Sequence, residues 1–344
     1  MRAAVLHTDL TLTVEDRPVP DPAPGDVLIA VTAVGVCGSD VHYLRHGRIG
    51  DFVVEAPMIL GHEAAGRIVA VGDGVPASRI GERVSIEPQR PSPSSAETLR
   101  GEYNLCPHMQ FYATPPVDGA LAEYVTIGAA FAHPIPDEVS DEAAALLEPL
   151  SVGIAAVRKA GIEPGGSVLI SGAGPIGLMC AQVADAAGAT RIVVTDLDAG
   201  RRAVADRFGA TEAVEAGTDP GEGFDAYIDA SGAASAVRAG LRAVRPGGRV
   251  VLVGMGADEL ALPVSLIQNR ELWVTGVFRY ANTWPNAIAL AAAGRVELDA
   301  MVTSRFGLEQ AEDALNADGA QGAIKAVVHP GVARIESDTH DRRH

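Results

Sequence analysis

The stretch SVLISGAGPIGLMCAQVADAAGA, residues 167–189, decides the fold. A short apolar run, Val168 to Ile170, ends in Gly172-x-Gly174-x-x-Gly177, and the glycines open an alanine-rich helical pattern at Pro175. In that setting the first glycine permits a tight turn, the second lets backbone approach a pyrophosphate, and the third lets helix pack on strand. The helix N-terminus then faces the phosphates. A bare glycine triplet is weak evidence, but one placed after a strand and before a helix reads as a dinucleotide site built on Gly172, Gly174, Pro175, Ile176 and Gly177. Asp196 closes the next strand-like run, RIVVTD (191–196). An acid there accepts a hydrogen bond from the adenine-ribose 2′-hydroxyl and repels a 2′-phosphate, which favours NAD over NADP. The alternative makes Asp196 a turn cap before LDAG, with Arg201 and Arg202 welcoming a phosphate; Arg201 belongs with the cofactor residues on either reading.

Outward from this stretch, strand and helix patterns alternate. Strands are expected at 167–172, 191–196, 224–230, 248–254 and 272–278, and helices at 175–187, 199–208 and 233–243, the signature of βαβ units and a parallel sheet. NTWPNAIALAAAGRV reads as a helix capped by Asn282 and Thr283, with Pro285 inside its start and Gly294 as its stop. Upstream the texture differs: DVLIAVTAVGV (26–36), AAGRIVAVGDGV (64–75) and RVSIEP (83–88) are β-rich runs separated by turn residues. A helix begins near Asp141 with Ser140 as N-cap. The expected organisation is a β-rich domain over 1–150 and 290–334, a parallel-sheet domain over 151–289, and a disordered tail over 335–344.

The length of 344 residues suits two domains. A net charge of −17 argues against nucleic acid or an anionic membrane as partner. No apolar run approaches the roughly 20 residues of a membrane helix, and the start lacks a signal-peptide pattern, so a cytoplasmic chain is expected. Cys37, Cys106 and Cys180 are too few and too scattered for a disulfide framework.

Four residues sit oddly in apolar surroundings. Cys37 lies where a strand-like run breaks at Gly-Ser-Asp, His62 and Glu63 follow APMILG, and Glu148 interrupts LLEPLSVG beside Pro149, which breaks the helical pattern. A buried carboxylate is costly unless it is paired or metal-bound. Thiolate, imidazole and carboxylate are also the donor types that zinc accepts, with about three protein ligands in a catalytic site. The spacing has no short local signature, so pairing of Glu63 or Glu148 with an arginine stays open beside a zinc site.

Several longer motifs, GVCGSDVHYLRHGRIGDFVVEAPMILGHEAAG, GEYNLCPHMQFYATPPVDGALAEY, EPLSVG, GAGPIG and GVFRYANTWP, resemble the zinc-dependent medium-chain dehydrogenase/reductase family, and most of all its sorbitol (polyol) dehydrogenase subgroup. The resemblance spans roughly residues 1 to 330. It implies an α/β protein with a GroES-like β-rich catalytic domain and a Rossmann NAD-binding domain. It also implies that Cys37, His62 and Glu63 hold a catalytic zinc, with Glu148 beside the metal as an interchangeable ligand or water partner. Ser39 and His42 take proton-relay positions by the same resemblance, although a turn serine and a surface histidine are the plain alternatives. Tyr43, Phe111, Thr114, Glu148, Arg279 and Tyr280 resemble the substrate wall. Many family members carry a four-cysteine structural zinc lobe where this chain has PQRPSPSSAETLRGEYNLCPHMQ, in which Cys106 alone remains. One zinc per chain is therefore expected, with Cys106 as a packing residue.

The expected chemistry is reversible NAD-linked oxidation of a sugar alcohol to a ketose by a homo-oligomer, a dimer or a tetramer. Related activities on idonate, threonine or butanediol are the alternative among enzymes. A non-catalytic NAD(H)-binding protein is the alternative outside them.

Overall fold

The computed structural model describes residues 1–257, 259–317, 320 and 322–331; the expected tail lies outside the described residues. Two sheets organise the chain. The first has seven strands, with Asp26–Gly35 at its centre between Glu63–Val71 and Lys325–His329, and Tyr124–Gly128 also pairing with that central strand. Its strands Val302–Gly307 and Lys325–His329 come from the far end of the chain, so the C-terminal segment returns to complete it. Val27, Ile29, Val31, Ile68, Val84, Ile86 and Ile127 fill its core, as β-branched side chains do on a pleated surface.

The second sheet has six strands in the order Glu212–Glu215, Arg191–Asp196, Ser167–Ser171, Phe224–Asp229, Val244–Leu252, Trp273–Gly276, all parallel. Its central strands are buried on both faces, as a parallel sheet covered by helices requires. The chain crosses from Ser167–Ser171 out to Arg191–Asp196 and back across to Phe224–Asp229. That reversal places a ligand crevice at the carboxyl ends of these strands.

The helix Leu147–Ala160 packs against Pro175–Ala186 and reaches the first sheet with its N-terminal turn. Its sequence neighbourhood differs from expectation in two ways. The region is two helices, Asp141–Ala145 and Leu147–Ala160, abutting at Leu146. Ser140 caps the first, accepting from the Ala143 N–H at 2.9 Å. Pro149 does not break the helix, because it lies in the first turn of Leu147–Ala160, where a missing N–H costs nothing. The helix expected over 199–208 is a single turn, Ala199–Arg202, followed by further turns. Trp284–Ala292 forms as expected, but Thr283 makes no side-chain cap bond; its hydroxyl is buried without a partner among the described residues.

The first sheet is pinned to helix Asp141–Ala145 by a charged cluster. Arg305 donates to both oxygens of Glu142, at 2.8 and 2.7 Å. His329 lies between Glu142 Oε1 (2.9 Å) and the Thr32 carbonyl (2.8 Å). Both histidine partners are acceptors, so the ring satisfies both only as a doubly protonated imidazolium. The bond to Glu142 raises the His329 pKa despite burial, and the bond from His329 holds Glu142 down at about 2. The stabilisation is complete between the ordinary glutamate and histidine values, about 4.3 and 6.5. Below that window it fades as Glu142 protonates, and above it as His329 loses its proton. In urea unfolding, His329→Gln is expected to cost roughly 1–2 kcal/mol near pH 6, with the deficit shrinking as pH rises. A deficit that grows with pH would contradict this.

Candidate active site

Three strand ends converge on one point. The register pairs Gly35 with Glu63, so the residue two beyond the first, Cys37, and the residue before the second, His62, meet at the edge of the sheet. Lys325 begins the strand that lies along the other side of Asp26–Gly35. The sulfur, imidazole and carboxylate donor atoms of Cys37, His62 and Glu63 all lie within 4.8 Å of one another, the group among the described residues fit to hold a metal. A Cβ at Gly35 would clash with Glu63 Oε2, so any side chain there must displace that oxygen.

Glu63 is fully buried. Its Oε1 accepts from Lys325 Nζ at 2.6 Å, and Lys325 also donates to the Val36 carbonyl at 2.8 Å. Burial alone would lower the Lys325 pKa, but Glu63 raises it, so the ammonium stays charged. Glu63 Oε2 has no hydrogen-bond partner among the described residues, although it is buried. An orphaned carboxylate oxygen beside a thiol and an imidazole is the donor set that zinc takes, so these residues fit the ion that the sequence implies. The cation expected to pair with Glu63 as the alternative to zinc is a lysine rather than an arginine, and it occupies one oxygen only.

Asp40 orders the ring and the loop around it. It is buried on the helix Gly38–His46, accepts from the Gly61 N–H at 2.9 Å and the Cys37 N–H at 3.2 Å, and lies 3.6 Å from His62 Nδ1. Burial opposes its charge, yet His62 and these N–H groups hold its pKa below the ordinary value. At that distance the carboxylate acts on the ring by charge rather than by a hydrogen bond, and His62 Nδ1 has no hydrogen-bond partner among the described residues.

Glu148 enters from the first turn of Leu147–Ala160 and accepts from Tyr280 OH at 2.6 Å. Burial is the main cause that raises its pKa to about 7; His62 lowers it and Glu63 raises it further. The structure thus groups Cys37, His62 and Glu63 and engages Glu148 with Tyr280. Phe111 lies against His62, ring centroids 5.5 Å apart. The Arg279 guanidinium sits 4.0 Å over the Phe111 ring, with Nη2 3.4 Å from Thr114 Oγ1. Tyr43 is buried, and burial raises its phenol to about 12. Ser39 is half-buried on the Cys37 helix, and His42 is exposed one turn on, its ring 4.5 Å from that of His46.

The glycine turn has the geometry its sequence requires. Gly172 is at φ +97°, and a Cβ on Gly177 would lie 1.7 Å from the Gly172 carbonyl oxygen. A Cβ on Gly174 would meet nothing nearer than Arg201 Nη1 at 3.7 Å, which leaves space above the N-terminus of Pro175–Ala186, with Pro175 and Ile176 in its first turn. Asp196 makes the turn-capping bonds of the alternative reading and also lies at a cavity wall. Its carboxylate accepts from Ala173 N at 2.6 Å and Asp198 N at 2.8 Å, and it lines a cavity of about 680 Å³ with Gly172, Ser171 and Ser231. Arg202 donates to the Asp196 and Leu197 carbonyls, and Arg201 Nε to that of Ala323 at 3.1 Å.

Asp40 and Lys325 were not foreseen. Asp40 sits in the quoted CGSD run as an acid near a candidate ligand, a signal that was available; Lys325 lies 262 residues from its partner and leaves no local trace.

Comparison with known proteins agrees with this arrangement. Residues 23–137 match the alcohol dehydrogenase GroES-like domain and residues 175–293 the zinc-binding dehydrogenase domain. The chain is 43% identical to the sorbitol dehydrogenase of Gallus gallus over 91% of both chains. A zinc-binding dehydrogenase of Sinorhizobium meliloti 1021 bound to NADP superposes with a TM-score of 0.89 at 31% identity, over 96% of this chain and 99% of that one. An alcohol dehydrogenase of Escherichia coli CFT073 complexed with NADH gives 0.90 at 27% identity, over 96% and 99%.

If Glu63 Oε2 is a ligand, Gly35→Ala, which drives a methyl onto that oxygen, should lower zinc retained after dialysis by about 10-fold or more while leaving NADH binding measurable. Full zinc content in Gly35→Ala would contradict this.

Proposed function

Because the chain belongs to the zinc-dependent medium-chain dehydrogenases and, within them, to the sorbitol dehydrogenase subgroup, we propose that it oxidises a secondary alcohol of a sugar alcohol, at carbon 2, to a ketose, with NAD as acceptor and in both directions. The observation that carries the reading is the grouping of half-buried Cys37 with buried His62 and Glu63 beside a wall of polar side chains. Zinc held there supplies Lewis acidity toward the alcohol oxygen, and the nicotinamide supplies the hydride acceptor.

The chain's own residues bind, orient and carry protons. Arg279, Tyr280, Tyr43 and Thr114 offer donors and acceptors to a polyhydroxyl chain, while Phe111 closes one side. A site built to bond hydroxyl groups rejects analogues that lack them. Glu148, with its pKa raised to about 7 by burial, exchanges a proton within the pocket near neutral pH, and Tyr280 keeps one of its oxygens oriented. Ser39 and His42 pass the alcohol proton outward along the helix Gly38–His46, which ends its relay at an exposed ring.

Both coenzymes occur on relatives of this fold, so the choice falls to Asp196. With Arg201 and Arg202 donating to backbone carbonyls, the Asp196 carboxylate is the charge facing a 2′-substituent, which favours NAD. Self-association is proposed through the edge strand Trp273–Gly276, where Trp273 is 71% exposed; an ultracentrifugation mass of a monomer would overturn it.

Steady-state rates with sorbitol, xylitol and ethanol, each with NAD and with NADP, test the main reading. Turnover of a polyol with NAD should exceed ethanol by about 100-fold or more and disappear on chelation. Fast ethanol oxidation, or full activity in zinc-free protein, would contradict the assignment.

A further inference from the structure

We propose that the lobe from Glu87 to Asn104 is a latch that sets the positions of Arg279 and Tyr280, with Tyr103 and Gln89 as its positioning residues. The inference rests on the reading that Arg279 and Tyr280 face the substrate.

The connector Phe278–Asn282 leaves the last strand of the parallel sheet and precedes the helix Trp284–Ala292. Arg279 and Asn282 have φ of +57° and +56°, a left-handed backbone that is unfavourable for side chains other than glycine. Such a conformation persists where its surroundings over-determine it. The other domain supplies those surroundings. Asn104 Nδ2 donates to the Phe278 carbonyl at 2.8 Å and Gln89 Nε2 to the Tyr280 carbonyl at 3.1 Å. The Asn282 N–H donates to Tyr103 OH at 2.8 Å, and Asn282 Nδ2 to the Gly101 carbonyl at 2.8 Å.

The buried Glu87 carboxylate gives these groups their direction. It accepts from Tyr103 OH at 2.7 Å and Gln89 Nε2 at 3.1 Å, and lies 2.8 Å from His133 Nε2. Because the Tyr103 proton goes to Glu87, its lone pair is left for the Asn282 N–H. His133 stacks on Trp284, which packs against the Tyr280 ring. The backbone so held delivers Tyr280 OH to Glu148 and the Arg279 guanidinium to Phe111 and Thr114. Hydrogen bonds from the lobe thus reach the backbone that carries Arg279 and Tyr280.

The test is a double-mutant cycle in the full-length enzyme loaded with zinc and NAD, using Tyr103→Phe, Arg279→Ala and the pair. Tyr103→Phe should lower kcat/KM for the polyol roughly 10- to 100-fold, mainly through KM, with zinc content and NADH affinity unchanged. In the Arg279→Ala background its added loss should be smaller than in the wild type, the remainder passing through Tyr280. Amide exchange across 278–282 should also quicken in Tyr103→Phe. Additive losses, or unchanged exchange with unchanged KM, would overturn the latch. Gln89→Met attacks the same backbone from a second bond and must behave alike, which covers a Tyr103→Phe variant that folds poorly. If Arg279→Ala leaves polyol kinetics untouched, the substrate-wall reading fails, while the exchange rates still report on the latch.

Discussion

The site depends on how one buried carboxylate is divided. Glu63 is fully buried, and such a charge is strongly destabilising unless it is compensated. Lys325 compensates one oxygen, and the other has no partner among the described residues, in a carboxylate grouped with Cys37 and His62. A second hydrogen bond would have satisfied the group and removed the metal site. The sheet enforces this division, since the register that sets Gly35 against Glu63 leaves the space that Oε2 occupies, and the returning strand brings Lys325 to the same edge.

The two sheets then do different work. The first fixes ligands at strand ends, where a backbone leaving its ladder can turn a side chain inward. The second offers its carboxyl ends to a dinucleotide, with Gly172 required by its backbone conformation, Gly177 by its close approach to the Gly172 carbonyl, and open space left at Gly174. The helix Leu147–Ala160 belongs to both, giving Glu148 to the metal side from its first turn while packing on Pro175–Ala186 along its length. The connector at 278–282 crosses the other way. The cleft is therefore assembled from segments that each domain lends to the other.

What could be read in advance follows from physical range. The glycine turn and most of the parallel strands are local patterns and emerge within a residue or two of expectation, although the strand expected at 248–254 runs over Val244–Leu252 and begins four residues earlier. Cys37, His62, Glu63 and Glu148 were visible because polar groups in apolar runs demand an explanation. Lys325, Glu87 and Tyr103 were not, because each looks ordinary in its own neighbourhood and acquires meaning only from partners up to 262 residues away. The helix expected at 199–208 failed for a related reason: composition favoured it, but Asp198 caps only one turn before the chain bends to place Arg201 over Ala323. Pro149 misled because its effect depends on where a helix starts.

The central claim is that Cys37, His62 and Glu63 are the protein ligands of one zinc. X-ray absorption at the zinc edge of the purified enzyme tests it most directly. A single sulfur at about 2.3 Å with nitrogen and oxygen neighbours at about 2.0–2.2 Å is the predicted shell, and replacement of that sulfur by oxygen or nitrogen is predicted in Cys37→Ser. A shell with two or more sulfurs, or one unchanged in Cys37→Ser, would contradict the account.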